Sequence, residues 1–586
     1  MTIQTSSKTD PVSCKRLIFY ISFLLITSLC LFRCANPVSP EGGPKDIKPP
    51  HIKVCAPPNS SALFKGNTIR IDFDEFINLK NPLNEIIFSP LLNKLPDYRL
   101  RGKSLIIKLE DSLRANTTYS INFGNAINDI TENNVLNGFT YVFSTGSFVD
   151  SLSIHGKVVS AFDLQPQKEV FAVLYLNNCD TLPFDSLPFR LPPFYLTKTN
   201  EKGEFHLTNL RKADYMLLAV VDQNNDFIFN QPSEKIGFLD SLIQASFILT
   251  TDSVKSDSSK TVKKDTLMNV KPNFPIYELH LFDEPDSIQR ILKINVPRRG
   301  MIMILFKYPV RSLQLDPLNL DSITPWCREE FSAKKDSLIL WLMNPEKDSL
   351  ILSIMDRDSI LDTARIDLKI KNQKRKSDKK EAEADRLGVR SNAGSNAFNQ
   401  FKSNLSLQFS YPLLRWDFSK VLLIDGKDTM NPKIKFSDSI HRKIQIHYPW
   451  KEEKTYTLFI PDSCFFGINQ LTNDTLIQTF RTKAAKEYGS LVLSIAFKDQ
   501  SQQYLVQLLT EKESLVEEKI MNQSGKVKFE YLNPGTFKIK VISDRNRNQQ
   551  WDTGNYRKKL QPEEVNYFFK PIEIRANWDV EESWEM

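Results

Sequence analysis

The chain has 586 residues, too many for a single hydrophobic core, so several domains are expected. Its 41% hydrophobic and 25% charged residues are ordinary for a globular protein, and a net charge of +7 from 77 basic and 70 acidic residues is too small at this length to argue for a nucleic-acid partner. The cysteines, at 14, 30, 34, 55, 179, 327 and 464, exclude a disulfide-dense scaffold: the last four are too scattered to pair, and no spacing matches a zinc site.

Lys15 and Arg16 precede the apolar run "LIFYISFLLITSLCLF" at 17–32, a basic start followed by a stretch shorter than a spanning helix. This has the form of a secretory signal; a retained signal anchor is the other reading. "LFRC" places Leu31 three residues before Cys34, as a lipobox requires, although Arg33 stands where a small residue is usual. Cleavage there would leave Cys34 as the first residue, carrying several acyl chains, enough for firm anchoring. Pro37, Pro40, Pro44, Pro49 and Pro50 then favour an extended tether. The stretch "CANPVSPEGGPKDIKPP" resembles the start of lipoproteins from Bacteroidetes-type bacteria, which lead into an Ig-like domain.

After residue 50 the dominant period is two. "TIRIDFDEF", "TYSINFGNA" and "TFKIKVISD" each put alternate apolar residues on one face, the mark of half-buried antiparallel strands. Short strands with frequent turns predict β-sandwiches. The chain also repeats itself. The segment from Asn200 aligns without a gap on that from Asn522 (522 − 200 = 322), matching Gly203 with Gly525 and Tyr215 with Phe537. The segment from Thr118 aligns on that from Thr455 (455 − 118 = 337), matching Tyr119 with Tyr456 and Phe143 with Phe480.

The order therefore reads type A, type B, a middle region, type A, type B. The expected fold class is all-β, tandem β-sandwich modules after a lipoprotein signal and a Pro-rich tether. The boundaries are a signal over 1–33, a tether over 34–50, type A over 51–147, type B over 151–248, a polar linker over 249–271, a middle β-domain over 272–371, a charged linker over 372–398, the second type A over 399–485 and the second type B over 486–586. Type A, through "GKSLIIKLEDSLRANTTYSINFGNAINDITENN" and a closing "FSTG", resembles the bacterial Ig-like domain of S-layer proteins (SbsA-like). Type B, through "IHGKVV", "NEKGEFHLTNL" and "ADYMLLAVVD", resembles the prealbumin-like domain called carboxypeptidase-regulatory-like. The second resemblance implies a spacer or accessory module.

Two acidic loops are the sharpest candidates for chemistry. Asp222, Asn224, Asp226 and Asn230 occupy positions 1, 3, 5 and 9 of a calcium-type loop, and Asp544, Asn546, Asn548 and Asp552 repeat them. Phe227 and Gln549 replace the glycine of position 6, and Ser233 and Asn555 replace the bidentate Glu of position 12. Calcium is one reading; a loop folded by Asx turns is the other. Trp551 and Phe229 are expected to pack under the loops. Among the histidines at 51, 155, 206, 280, 441 and 447, only His441 and His447 are neighbours, on one face of an expected strand, with no ligand pattern beside them. The Pro- and Phe-rich stretch 179–199 reads either as a binding surface or as a cover for a sheet edge.

No G-x-S-x-G, phosphate-binding Gly loop or H-E-x-x-H occurs, so a non-enzymatic role is expected, with calcium the one cofactor considered. The leading reading is an envelope lipoprotein, anchored to the outer membrane through Cys34 and presenting an elongated scaffold of β-modules to a protein or glycan partner. Ala35 in place of Asp after Cys34 favours the outer membrane and leaves its face open. The alternative is a surface protein that binds a glycan or peptide with its sandwich loops.

Overall fold

The computed structural model describes residues 46–176, 182–247, 275–285, 288–320, 325–343, 347–369, 386–393, 397–468 and 470–586. Cys34, the signal and most of the tether lie outside them, as do Cys179, the whole polar linker 249–271 and residues 372–385 and 394–396 of the charged one. The chain divides into two compact units, 1–150 and 151–586. Both are built almost wholly of antiparallel strands arranged as β-sandwiches. Among the described residues, no helix is long and apolar enough to cross a membrane.

The first unit is the first type A module. One sheet orders the strands Ile52–Ala56, Thr68–Phe73, Ser104–Lys108 and Asp97–Arg101; another orders Ile87–Ser89, Thr118–Asn122 and Thr140–Ser144. The period-two residues of the sequence meet between them: Ile69, Ile71, Phe73, Tyr119, Ile121 and Phe143 are buried in one cluster. Burial of such side chains contributes about 1.5–3 kcal/mol each.

The second type A module, in the second unit, reproduces this packing at the offset of 337. Tyr119 faces Phe143 across paired strands, and Tyr456 faces Phe480. The Tyr119 hydroxyl accepts from the Arg114 N–H, and that of Tyr456 accepts from the Lys451 N–H. The hydroxyl of Thr145 donates to the Arg114 carbonyl and that of Thr482 to the Lys451 carbonyl. A repeat recognised from residue types thus extends to individual hydrogen bonds. The module starts earlier than the expected 399: strand Val389–Ser391 pairs with Leu405–Phe409, Ala397–Phe398 pairs with Leu476–Thr482, and Leu387 enters the core. Charge and small polar residues hid these short edge strands within the assigned linker.

The type B modules need a larger correction. In the second copy the final strand, Asp579–Glu585, runs parallel to Gly489–Ala496. In the first copy the same place beside Leu152–Ser160 is taken by Ile276–Asp283, also parallel. This strand lies beyond the expected boundary at 248 and within the stretch assigned to the middle domain. The polar linker therefore interrupts the first type B module before its last strand. Gly156 of "IHGKVV" has a physical reason here: a Cβ on it would lie 2.4 Å from the Tyr277 carbonyl and from the Phe205 ring. The middle domain proper is a sandwich of two sheets, one ordering Ile291–Arg298, Met301–Phe306, Ser337–Leu342 and Cys327–Phe331, the other Leu313–Pro317, Ser349–Asp356 and Ser359–Asp367.

Within the second unit the modules dock. The middle domain meets the second type A module through Met301, Trp341, Ile440 and Ile468, and through Arg442 Nη1, 2.7 and 2.8 Å from the two Glu330 oxygens. The second type A module meets the second type B module by Phe401 stacked on Tyr531 at 4.3 Å and by Lys402 paired with Glu517. The second type B module also reaches back to the first: Thr553 donates to the Asp283 carbonyl, Gln561 to the Phe238 carbonyl and to Asp240, and Lys559 pairs with Asp185. The expected elongated array is thus not met within this unit, because a loop of the last module packs on a module some 270–340 residues upstream.

Candidate functional site

Both acidic loops leave the end of a central strand, Asp214–Val221 in the first copy and Gly535–Asp544 in the second. Asp222 accepts from the N–H groups of Asn224, Asn225 and Phe227 at 2.8–3.2 Å, and Asp226 accepts from Ile228 at 2.8 Å. Asp544 accepts from Asn548 and Gln549, and Asn548 accepts from Gln550. These are Asx turns, in which a short side chain replaces backbone partners. Phe227 and Gln549 hold φ of 60° and 63°, and Asn225 and Arg547 hold 61° and 59°. The left-handed backbone that favours glycine at position 6 is therefore kept without glycine.

The sequence reading missed the residue that closes each loop. Glu234, only 1% exposed, accepts from the N–H groups of Gln223, Asn230 and Gln231. Glu563 does the same for Arg545 and Asp552, the residues at the same loop positions. Burial raises the Glu563 pKa, and these two N–H groups oppose the rise. Glu234 falls one place after position 12, whereas Glu563 follows a longer excursion. No fixed spacing marks the pair; a carboxylate opening the next strand was the available signal.

The loops differ in what they gather. Ligand oxygens of Asp222, Asp226 and Glu234 lie within 4.8 Å of one another, a three-carboxylate set suited to a hard cation. Among the described residues, the second loop brings together no such trio; Asn546 and Asn548 donate there to Asp552. Phe229 is buried as expected, while Trp551 is half-buried, its Nε1 donating to the Glu563 carbonyl.

The stretch expected over 179–199 has two parts. Tyr195–Lys198 forms the edge strand beside Phe171–Leu176. Phe184–Phe189 forms a short 3-10 turn that meets the second copy's loop, with Phe189 beside Tyr556 at 5.5 Å. A cavity of about 580 Å³ lies there, lined by Asp185, Phe189, Asn230, Arg557 and Lys559.

His441 falls outside the strand Lys443–His447, so it and His447 are not presented on one strand face. Instead the strand pairing brings His155 opposite His206, their Nδ1 atoms in contact. Burial and the neighbouring ring lower the His155 pKa. Cys55, Cys327 and Cys464 are free thiols. Burial pushes the Cys327 thiol up to about 12 and the Cys464 thiol up to about 11, which removes them as nucleophiles at neutral pH.

Residues 46–145 match the family model of the bacterial Ig-like domain. No curated protein matches the chain. Solved structures with some likeness include BcpA, the major pilin subunit of Bacillus cereus (10% identity, 74% of this chain and 99% of that one, TM-score 0.14). Others are the S-layer protein rSbsC (10%, 89% and 66%, TM-score 0.13) and a Bacteroides ovatus mixed-linkage glucan utilization protein, SGBP-B (10%, 68% and 90%, TM-score 0.17). TM-scores at this level carry no activity over to this chain.

Proposed function

We propose that this protein is a lipid-anchored component of a bacterial outer membrane whose docked β-sandwich modules act as a non-enzymatic scaffold for an envelope protein or glycan. The interlocking of the second unit carries the reading. Four modules held to one another by aromatic stacks and a half-buried Arg442–Glu330 pair form a preorganised platform, which suits presentation of partners. The bacterial Ig-like match over 46–145 and the lipobox-like "LFRC" support an envelope location. A Cys34→Ala variant tests it: the protein should lose incorporated palmitate and leave the outer-membrane fraction. Unchanged fractionation would refute the anchor.

Binding of a glycan or peptide is a second reading, favoured by the cavity beside Phe189, where an aromatic ring stands among Asp185, Arg557 and Lys559. A glycan array on which Phe189→Ala changes no signal counts against it. Calcium, as a cofactor of the scaffold, would be held in the first loop by Asp222, Asp226 and Glu234.

A further inference from the structure

We propose that the cleft between the middle domain and the second type A module binds an oxyanion, a carboxylate, sulfate or phosphate group, through Arg298 and Arg390 beside Arg442. The cleft has a volume of about 280 Å³ and is lined by Arg298 from the first of these modules and by Arg390, Gln408, Ser410 and Arg442 from the second. Three arginines thus line a space close to the lower end of small-ligand pockets, about 300 Å³, and no carboxylate of the described residues lines it.

The charges are unequally matched. Arg442 is fully engaged: it holds both oxygens of Glu330, donates to the Phe409 carbonyl, and, with the Gln408 amide turned so that its oxygen faces the guanidinium, meets that oxygen at 3.0 Å. Glu330 is used up in turn, since it also accepts from Trp341 Nε1 and lies 3.7 Å from Lys443. Arg298 stands over Trp341 at 5.3 Å and Tyr411 at 4.8 Å, and its Nε meets Met301 Sδ. Its two terminal nitrogens have no hydrogen-bond partner among the described residues. Arg390 is exposed and has no ion-pair partner among them.

Two aromatic rings and one sulfur account for where Arg298 sits. They do not account for its unmet donors, which in a guanidinium form a planar fork matched to two oxygens. Burial lowers the Arg298 pKa, and the charges of Arg442 and Arg390 add to this, while Tyr411 and Glu330 oppose it. The Ser410 hydroxyl accepts from the Gly388 N–H and keeps its own proton for a further acceptor. An anion in the cleft would relieve the repulsion and take up these donors together.

The test is calorimetric titration of the full chain in detergent with sodium phosphate, sodium sulfate and sodium glucuronate, each at ionic strength held constant with chloride. At least one anion should bind saturably, and the preferred one names the source: glucuronate a carboxylate-bearing sugar, phosphate a phosphoryl group, sulfate a sulfated one. Arg390→Gln, which breaks no side-chain hydrogen bond or ion pair among the described residues, should weaken that binding at least tenfold without lowering the anion-free melting temperature. Absence of saturable binding for all three, or equal binding by Arg390→Gln, overturns the proposal.

Discussion

Lys540 offers the sharpest test of how the two type B modules fit. It lies on the central strand Gly535–Asp544, on the face away from the module's core, and is only 2% exposed. Its ammonium sits 3.4 Å from the centre of the Phe162 ring, contributed by the first type B module, with Tyr567 at 5.7 Å. Burial lowers its pKa from 10.5 to about 8, and Asp163 and Glu513 only partly oppose this. The corresponding residue of the first copy, at 540 − 322 = 218, is the fully buried Leu218. Lys540→Leu therefore restores what the other copy already uses. The lowered pKa corresponds to an upper bound of ~3 kcal/mol, which residual solvation and the lost cation–π contact reduce to a net stabilisation of about 1–2 kcal/mol at pH 7.

The sign follows from proton linkage. Between about pH 8 and 10.5 the unfolded chain holds the Lys540 proton and the folded chain does not, so stability of the parent rises with pH across that window. Below pH 8 both states are protonated and the whole penalty remains. The advantage of Lys540→Leu should be greatest at pH 7 and should shrink towards pH 10. Scanning calorimetry at the two pH values measures it, as a rise of several degrees at pH 7 in the transition of the docked modules. A variant that is neutral or destabilised at pH 7, or equally shifted at both pH values, refutes the reasoning.

Glu330→Gln leaves Arg442, with a side chain 11% exposed, without its carboxylate and should destabilise the second unit by about 3–5 kcal/mol; in thermal melts, pairing it with Arg442→Met should recover most of the loss. Gly156→Ala forces a methyl group against the Tyr277 carbonyl and should cost about 1–3 kcal/mol, read as faster hydrogen exchange in peptides spanning 276–283. Calcium added to chelator-treated protein should raise the melting temperature of the parent and not of Asp226→Asn; no response at millimolar calcium removes the first loop from consideration. Tyr456→Phe removes the hydroxyl that accepts from the Lys451 N–H and should cost about 1 kcal/mol in the same melts.

Much of this molecule was legible before any coordinate. Alternation of apolar residues every second position determines which face of each strand is buried, and the cores contain Ile69, Ile71, Phe537 and Ile539 as that alternation requires. The two repeats survive down to shared hydrogen bonds at Tyr119 and Tyr456, because a local turn and its capping tyrosine lie within one short segment. The acidic loops were legible for the same reason: Asx turns act over two to five residues. Tertiary structure alone decided the rest. Ile276–Asp283 joins a strand more than a hundred residues earlier, and nothing within it names that partner. Glu234 and Glu563 close equivalent loops from different spacings, so their shared role is visible only in space. The arginine cleft is made by Arg298, Arg390 and Arg442, brought together by docking of two modules. Backbone pairing and charge apposition over such separations depend on which surfaces fit, and residue order does not encode that fit locally.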